Sequence, residues 1–115
     1  MAVSDANSDM FREMFFEEAR ELLETLDSGL SGDGPPGDSP KRWDPVYRAA
    51  HSLKGAAAMV GLAGISQQAL AMEKALGQLR TGAAAWGAEI SQSLGGQRAR
   101  LVELIDDEEK RFRAP

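Results

Sequence analysis

AHSLKGAAAMVGL, residues 50–62, holds the only histidine of the chain and sets the period on which the rest of the fold is read. Val46, Ala49, Ala50, Leu53, Ala57 and Val60 recur at helical spacing and predict an inward stripe. His51 falls just off that stripe, beside Tyr47, Arg48, Lys54, Gly55 and Ala58, so its ring is expected to reach solvent. Lys54 and Gly55 follow it by three and four residues, which on a helix places them on the same face one turn on. The chemistry that uses such a face is narrow. A neutral imidazole is a competent nucleophile toward phosphorus, an ammonium offsets charge on phosphoryl oxygens, and a residue without a side chain lets a second protein come close.

Outward from this stretch the chain predicts more helix and no strand, because Ala, Leu, Glu, Gln, Arg and Met dominate and no β-branched alternation is sustained. Met1 to Asn7 lacks a periodic pattern and reads as a frayed end. Ser8 can cap a first helix over about 8–30, whose apolar stripe is Phe11, Phe15, Leu22, Leu26 and Leu30, widened by Met14, Ala19 and Leu23. The glycines and prolines of 32–40 form a connector. Trp43-Asp44-Pro45 then starts the second helix, about 45–60, with Asp44 as the cap and Pro45 at the first helical position. After a turn at Gly61, a third helix runs over about 65–80 and stops near Thr81-Gly82. The fourth starts between Ala83 and Gly87 and runs to about 112, with Gly95-Gly96 predicting a kink or a close helix contact. Trp43 and Trp86 read as packing anchors. The expected class is all-α, an antiparallel up-down four-helix bundle forming one domain over residues 1–115.

Composition removes several functions. The chain has no cysteine, which excludes disulfides, thiolate metal sites and cysteine nucleophiles. Its formal net charge of −5 disfavours nucleic acid. No apolar run approaches a membrane span and the start does not resemble a secretory signal, so a cytoplasmic protein is expected. No metal site is expected: one histidine is too few for a transition metal, and Asp106-Asp107-Glu108-Glu109 reads as a solvated face. The Met and Phe residues read as core rather than as cofactor ligands.

In an antiparallel bundle, residues equally far from a turn stand at equal height. His51 and Glu73 are each about 12–14 Å from the turn near Gly61 at roughly 1.5 Å per residue, so they should be level. A carboxylate there accepts a hydrogen bond from one imidazole nitrogen, fixes the tautomer and frees the other nitrogen for attack.

The residues His51-Ser52-Leu53-Lys54-Gly55-Ala56-Ala57-Ala58 resemble the His-Ser-x-Lys-Gly core of histidine phosphotransfer (HPt) domains, four-helix bundles that relay phosphoryl groups between aspartates of receiver domains. The likeness runs from Phe15-Phe16-Glu17-Glu18-Ala19 through Arg80, in particular to the N-terminal HPt domain of chemotaxis-type histidine kinases and to free-standing HPt proteins. It implies that His51 is phosphorylated, Lys54 is a cation near the phosphoryl group, Gly55 opens access and Glu73 orients the imidazole. Two positions depart from the pattern. Leu70 stands where chemotaxis kinases often have a second histidine, and Gly55-Ala56 replaces a common double glycine.

The resemblance further implies a carrier without an ATP site of its own. Mg²⁺ would be supplied by the receiver, and the partners would be a response-regulator receiver domain, a histidine kinase, or both. Docking would use Ala58, Met59, Leu62 and Leu70, with Arg48 and Lys54 at the rim. The end of the chain, Lys110 to Pro115, reads as a natural terminus, which favours a free-standing protein over the first domain of a kinase. A different class also fits the residues: a helical adaptor that uses the His51 face without phosphorylation, motivated by the apolar Leu70. An independent hydrolase finds no second nucleophile and base pair to support it.

Overall fold

Helices form wherever the apolar period is sustained: α1 (Asp5–Gly29), α2 (Asp44–Met59), α3 (Ala63–Thr81) and α4 (Ala88–Arg113). This computed structural model describes residues 5–115, with side chains from Asn7 onward, and among them there is no strand. Successive helices pack on one another and α1 closes against α4. Cross-helix pairs run in opposite senses along their two partners. From α2 to α3, Tyr47 meets Gly77, His51 meets Glu73 and Lys54 meets Ser66. From α1 to α4, Glu13 meets Arg113, Arg20 meets Asp106 and Asp27 meets Arg98. Arg12 on α1 likewise meets Val60 and Gly29 meets Val46, so these neighbours are antiparallel and the fold is the expected four-helix bundle. The result is a rod 52 Å long and about 20 Å across.

Phe16, Leu26, Leu53, Ile65, Met72, Leu76, Leu94, Leu101 and Ile105 fill its axis with essentially no exposure. Each fully buried side chain of this size contributes about 1.5–3 kcal/mol. At one end, Trp43 is buried and packs on Trp86, ring centroids 4.8 Å apart, while the Trp86 indole donates to the carbonyl of Gly32. Arg42 donates to the carbonyls of Asp33 and Pro35. The glycine-proline connector is therefore tied to the bundle by two side chains.

Several expectations about boundaries change. α1 begins by Asp5, so Asp5 to Asn7 are helical and Ser8 lies inside the helix instead of capping it; Met1 to Ser4 are outside the described residues. Phe11 and Met14 are exposed, not inward. Arg12 donates to the carbonyl of Val60, which places Phe11 level with the end of α2, where the wall that would cover it stops. Asp44 is the first residue of α2, with Trp43 before it as cap, because a 3-10 turn, Pro40–Trp43, feeds straight into the helix. Its carboxylate faces Arg80 instead, at 3.9 Å. α4 starts at Ala88 and runs unbroken through Gly95-Gly96, where an added Cβ would meet nothing within 4 Å. No close helix contact exists there, and nothing in the structure explains that pair. The acidic run near the end of α4 is engaged in ion pairs: Asp106 and Glu109 with Arg20, Glu108 with Arg111, and Glu109 with Arg113.

Candidate functional site

The seam between α2 and α3 is set by the three residues that join them. Gly61 has φ +76°, a conformation glycine adopts without a steric cost, and its N–H donates to the carbonyl of Ala58 while that of Leu62 donates to Ala57. These two bonds make a Schellman ending, in which the residue after the glycine folds back onto the helix. Leu62 is that residue, and its side chain is buried. The expectation that Leu62 contributes to a docking surface is thereby corrected.

With the register fixed, His51 and Glu73 come together. Nδ1 of His51 is hydrogen-bonded to Oε1 of Glu73. An ionised carboxylate only accepts, so Nδ1 is the donor, and in the neutral ring that tautomer leaves Nε2 with its lone pair. The His51 side chain is 59% exposed whereas that of Glu73 is 10% exposed, so the ring stands outward over a buried anchor. Lys54 Nζ lies 3.0 Å from Oε1 and 3.1 Å from Oε2 of the same carboxylate. Glu73 thus faces two donors from α2 and does not pair with its sequence neighbour Lys74. The Ser66 hydroxyl donates to the carbonyl of Lys54 at 3.0 Å and pins the same seam one turn along. Gly55 is exposed, and a Cβ there would meet nothing within 4 Å, so open space rather than helix packing surrounds it.

Burial pushes the Glu73 carboxyl up, but hydrogen bonds from His51 and Lys54, with the charge of Lys54, outweigh it and hold the carboxyl below its ordinary value. The sign of the linkage follows. A depressed folded value stabilises the native state above the unfolded carboxylate value, roughly 4.3, and that contribution fades as pH falls through the lower folded value. Urea titrations from pH 7 down to pH 3 should show wild type losing more stability than Glu73→Gln, which has no carboxyl to protonate. Parallel curves would mean the pairing is energetically idle.

Of the other residues expected at the surface, Arg48, Ala58 and Met59 are exposed, Met59 by 89%, and Leu70 is half-buried. Sequence reasoning missed part of this face. Phe11, Met14 and Phe15 of α1 line an open apolar groove with Ala56 and Met59 of α2 and Val60 just past its end, edged by Glu17, Glu18 and Glu21. It starts one residue from Gly55. The signal that could have found it was the length of the Phe11 stripe, which outruns the helix available to cover it.

The family model described as "Hpt domain" matches residues 10–110. The chain is also 33% identical over 72 residues to Chemotaxis protein CheA of Salmonella typhimurium, an alignment that covers 63% of this chain and 11% of that protein. The chain therefore spans about a tenth of the length of that relative.

Proposed function

Since the chain belongs to the Hpt domain family, we propose that it is a phosphocarrier of a two-component relay in which His51 exchanges a phosphoryl group with an aspartate of a receiver domain. The observation that supports this reading most is the division of labour on the imidazole. Nδ1 is committed to a buried carboxylate, while the ring as a whole is 59% exposed and Nε2 is not spent on that pair.

In the transfer, the Nε2 lone pair forms a bond to phosphorus in line with the acyl-phosphate P–O bond, which breaks with its electron pair leaving on the receiver's aspartate. Nδ1 keeps its proton, so the phosphorylated ring carries a positive charge that Glu73 neutralises. Lys54 has three N–H donors and spends at most two on Glu73, which leaves one for a phosphoryl oxygen. Mg²⁺ is assigned to the receiver, because the carboxylate nearest His51 already accepts from two donors. The exposed groove of Phe11, Met14 and Met59 extends the docking surface beyond Ala58 and Leu70, and Arg48 supplies charge at its rim.

The test mixes the protein with a panel of receiver domains phosphorylated by a small acyl phosphate. The expected product is acid-labile, base-stable and shows phosphorus–nitrogen coupling at Nε2 of His51. No transfer from any receiver, or label on another residue, overturns the proposal. The likeness to CheA favours a second setting, the phosphoacceptor domain of a chemotaxis-type kinase, for which an ATP-dependent kinase core would replace the receiver as donor. Glu73→Ala should slow transfer by about 10–100-fold without abolishing it, since an orienting partner tunes the nucleophile but does not attack. Single-turnover kinetics measure this, and complete loss in a folded variant would mean Glu73 does more than orient.

A further inference from the structure

His51 has a second neighbour that neither its motif nor its ion pair explains. The Tyr47 ring lies one turn back on α2, near-parallel to the imidazole at 12° with centroids 6.2 Å apart, an offset stack. The tyrosine has a further partner, from α3. The Arg80 guanidinium sits over its ring, 4.0 Å from the centroid, and lies 3.9 Å from the Asp44 carboxylate. Opposite Tyr47 on α3 is Gly77, where a Cβ would stand in ordinary contact with the ring, 3.5 Å from Cε1 and 3.9 Å from Cδ1, so the edge of the tyrosine lies close against the α3 backbone. Asp44, Tyr47 and His51 on one helix thus face Arg80, Gly77 and Glu73 on the other, as three rungs of one seam.

We propose that Tyr47, held under the Arg80 guanidinium and against α3 at Gly77, is a positioning residue for His51. Besides its covalent tether, Glu73 holds the imidazole through a single hydrogen bond at Nδ1, which leaves the ring plane able to tilt about its side-chain torsions as far as that bond bends. A flat wall on the N-terminal side removes that tilt, and the open side at Gly55 is left for the incoming phosphorus. The wall acts on the nucleophile's orientation, so its loss lowers the rate of transfer and leaves docking of the receiver unchanged. The inference rests on the phosphocarrier reading, but part of its test does not.

Carbon relaxation of the His51 ring reads its mobility in the unphosphorylated protein. Wild type and Tyr47→Phe should each give an equally rigid ring. Tyr47→Leu, which keeps bulk but loses the flat face, should give a more mobile ring and transfer roughly tenfold slower at unchanged receiver affinity. Tyr47→Ala, which removes the wall altogether, should do the same, and it decides the matter if Tyr47→Leu fails to fold. Wild-type ring mobility in folded Tyr47→Leu or Tyr47→Ala overturns the inference, as does a defect in Tyr47→Phe equal to that of Tyr47→Leu. Absence of phosphotransfer by wild type would instead remove the carrier reading, with the mobility comparison still standing on its own.

Discussion

His51→Gln is expected to fold as wild type does and to accept no phosphate at all. The ring is 59% exposed and fills no part of the core, so its replacement leaves packing unchanged. The glutamine amide can still donate to Glu73, which keeps the buried carboxylate partnered. Surface changes of this kind shift stability by about 0.5 kcal/mol or less. Function is a different matter. An amide nitrogen has no available lone pair, and the chain has no other histidine and no cysteine to take over. Thermal melts and a phosphate-uptake assay on the same sample measure both halves. Uptake equal to wild type would place the nucleophile elsewhere.

Gly55→Gln is expected to separate stability from function in the opposite direction. Gly55 is inside α2, and a side chain there meets nothing within 4 Å, so the helix gains the propensity difference between the two residues, roughly 0.5–1 kcal/mol. The same side chain projects over the histidine's face one turn on, where a receiver must come within bonding distance of Nε2. Displacing the donor phosphorus by about 1 Å costs on the order of 100-fold in rate. The variant should therefore melt at or slightly above the wild-type temperature while transferring about 100-fold more slowly. Gly55→Ala, with a single methyl, should lose far less. A Gln variant with normal kinetics would mean that the empty space at this position serves no approach.

The seam was legible in the sequence because two simple geometries decide it: the helical period puts His51, Lys54 and Gly55 on one face, and equal distance from a turn puts Glu73 beside them. What escaped was whatever depends on where a neighbouring helix stops. Periodicity marks Phe11 and Met14 as apolar, and only the stripe's length set against that of α2 says that they go uncovered. Leu62 reads as surface beside a glycine turn until the two hydrogen bonds of that turn fold it under the helix. Tyr47 and Arg80 were each visible as ordinary half-polar residues. Their stacking is an α2–α3 contact and is set only once α3 has been laid against α2.

The three-residue joint between α2 and α3 acts as a ruler for the site. One inserted residue in Val60–Leu62 that carried through into α3 would slide Glu73 by about 1.5 Å and rotate it by roughly a quarter of a turn away from the imidazole. The longer loop before Trp43 has no such duty, because it lies at the other end of the rod and sets none of the rungs. Length variation is therefore compatible with the relay chemistry in the first loop and incompatible with it in the second, whatever each loop contributes to stability.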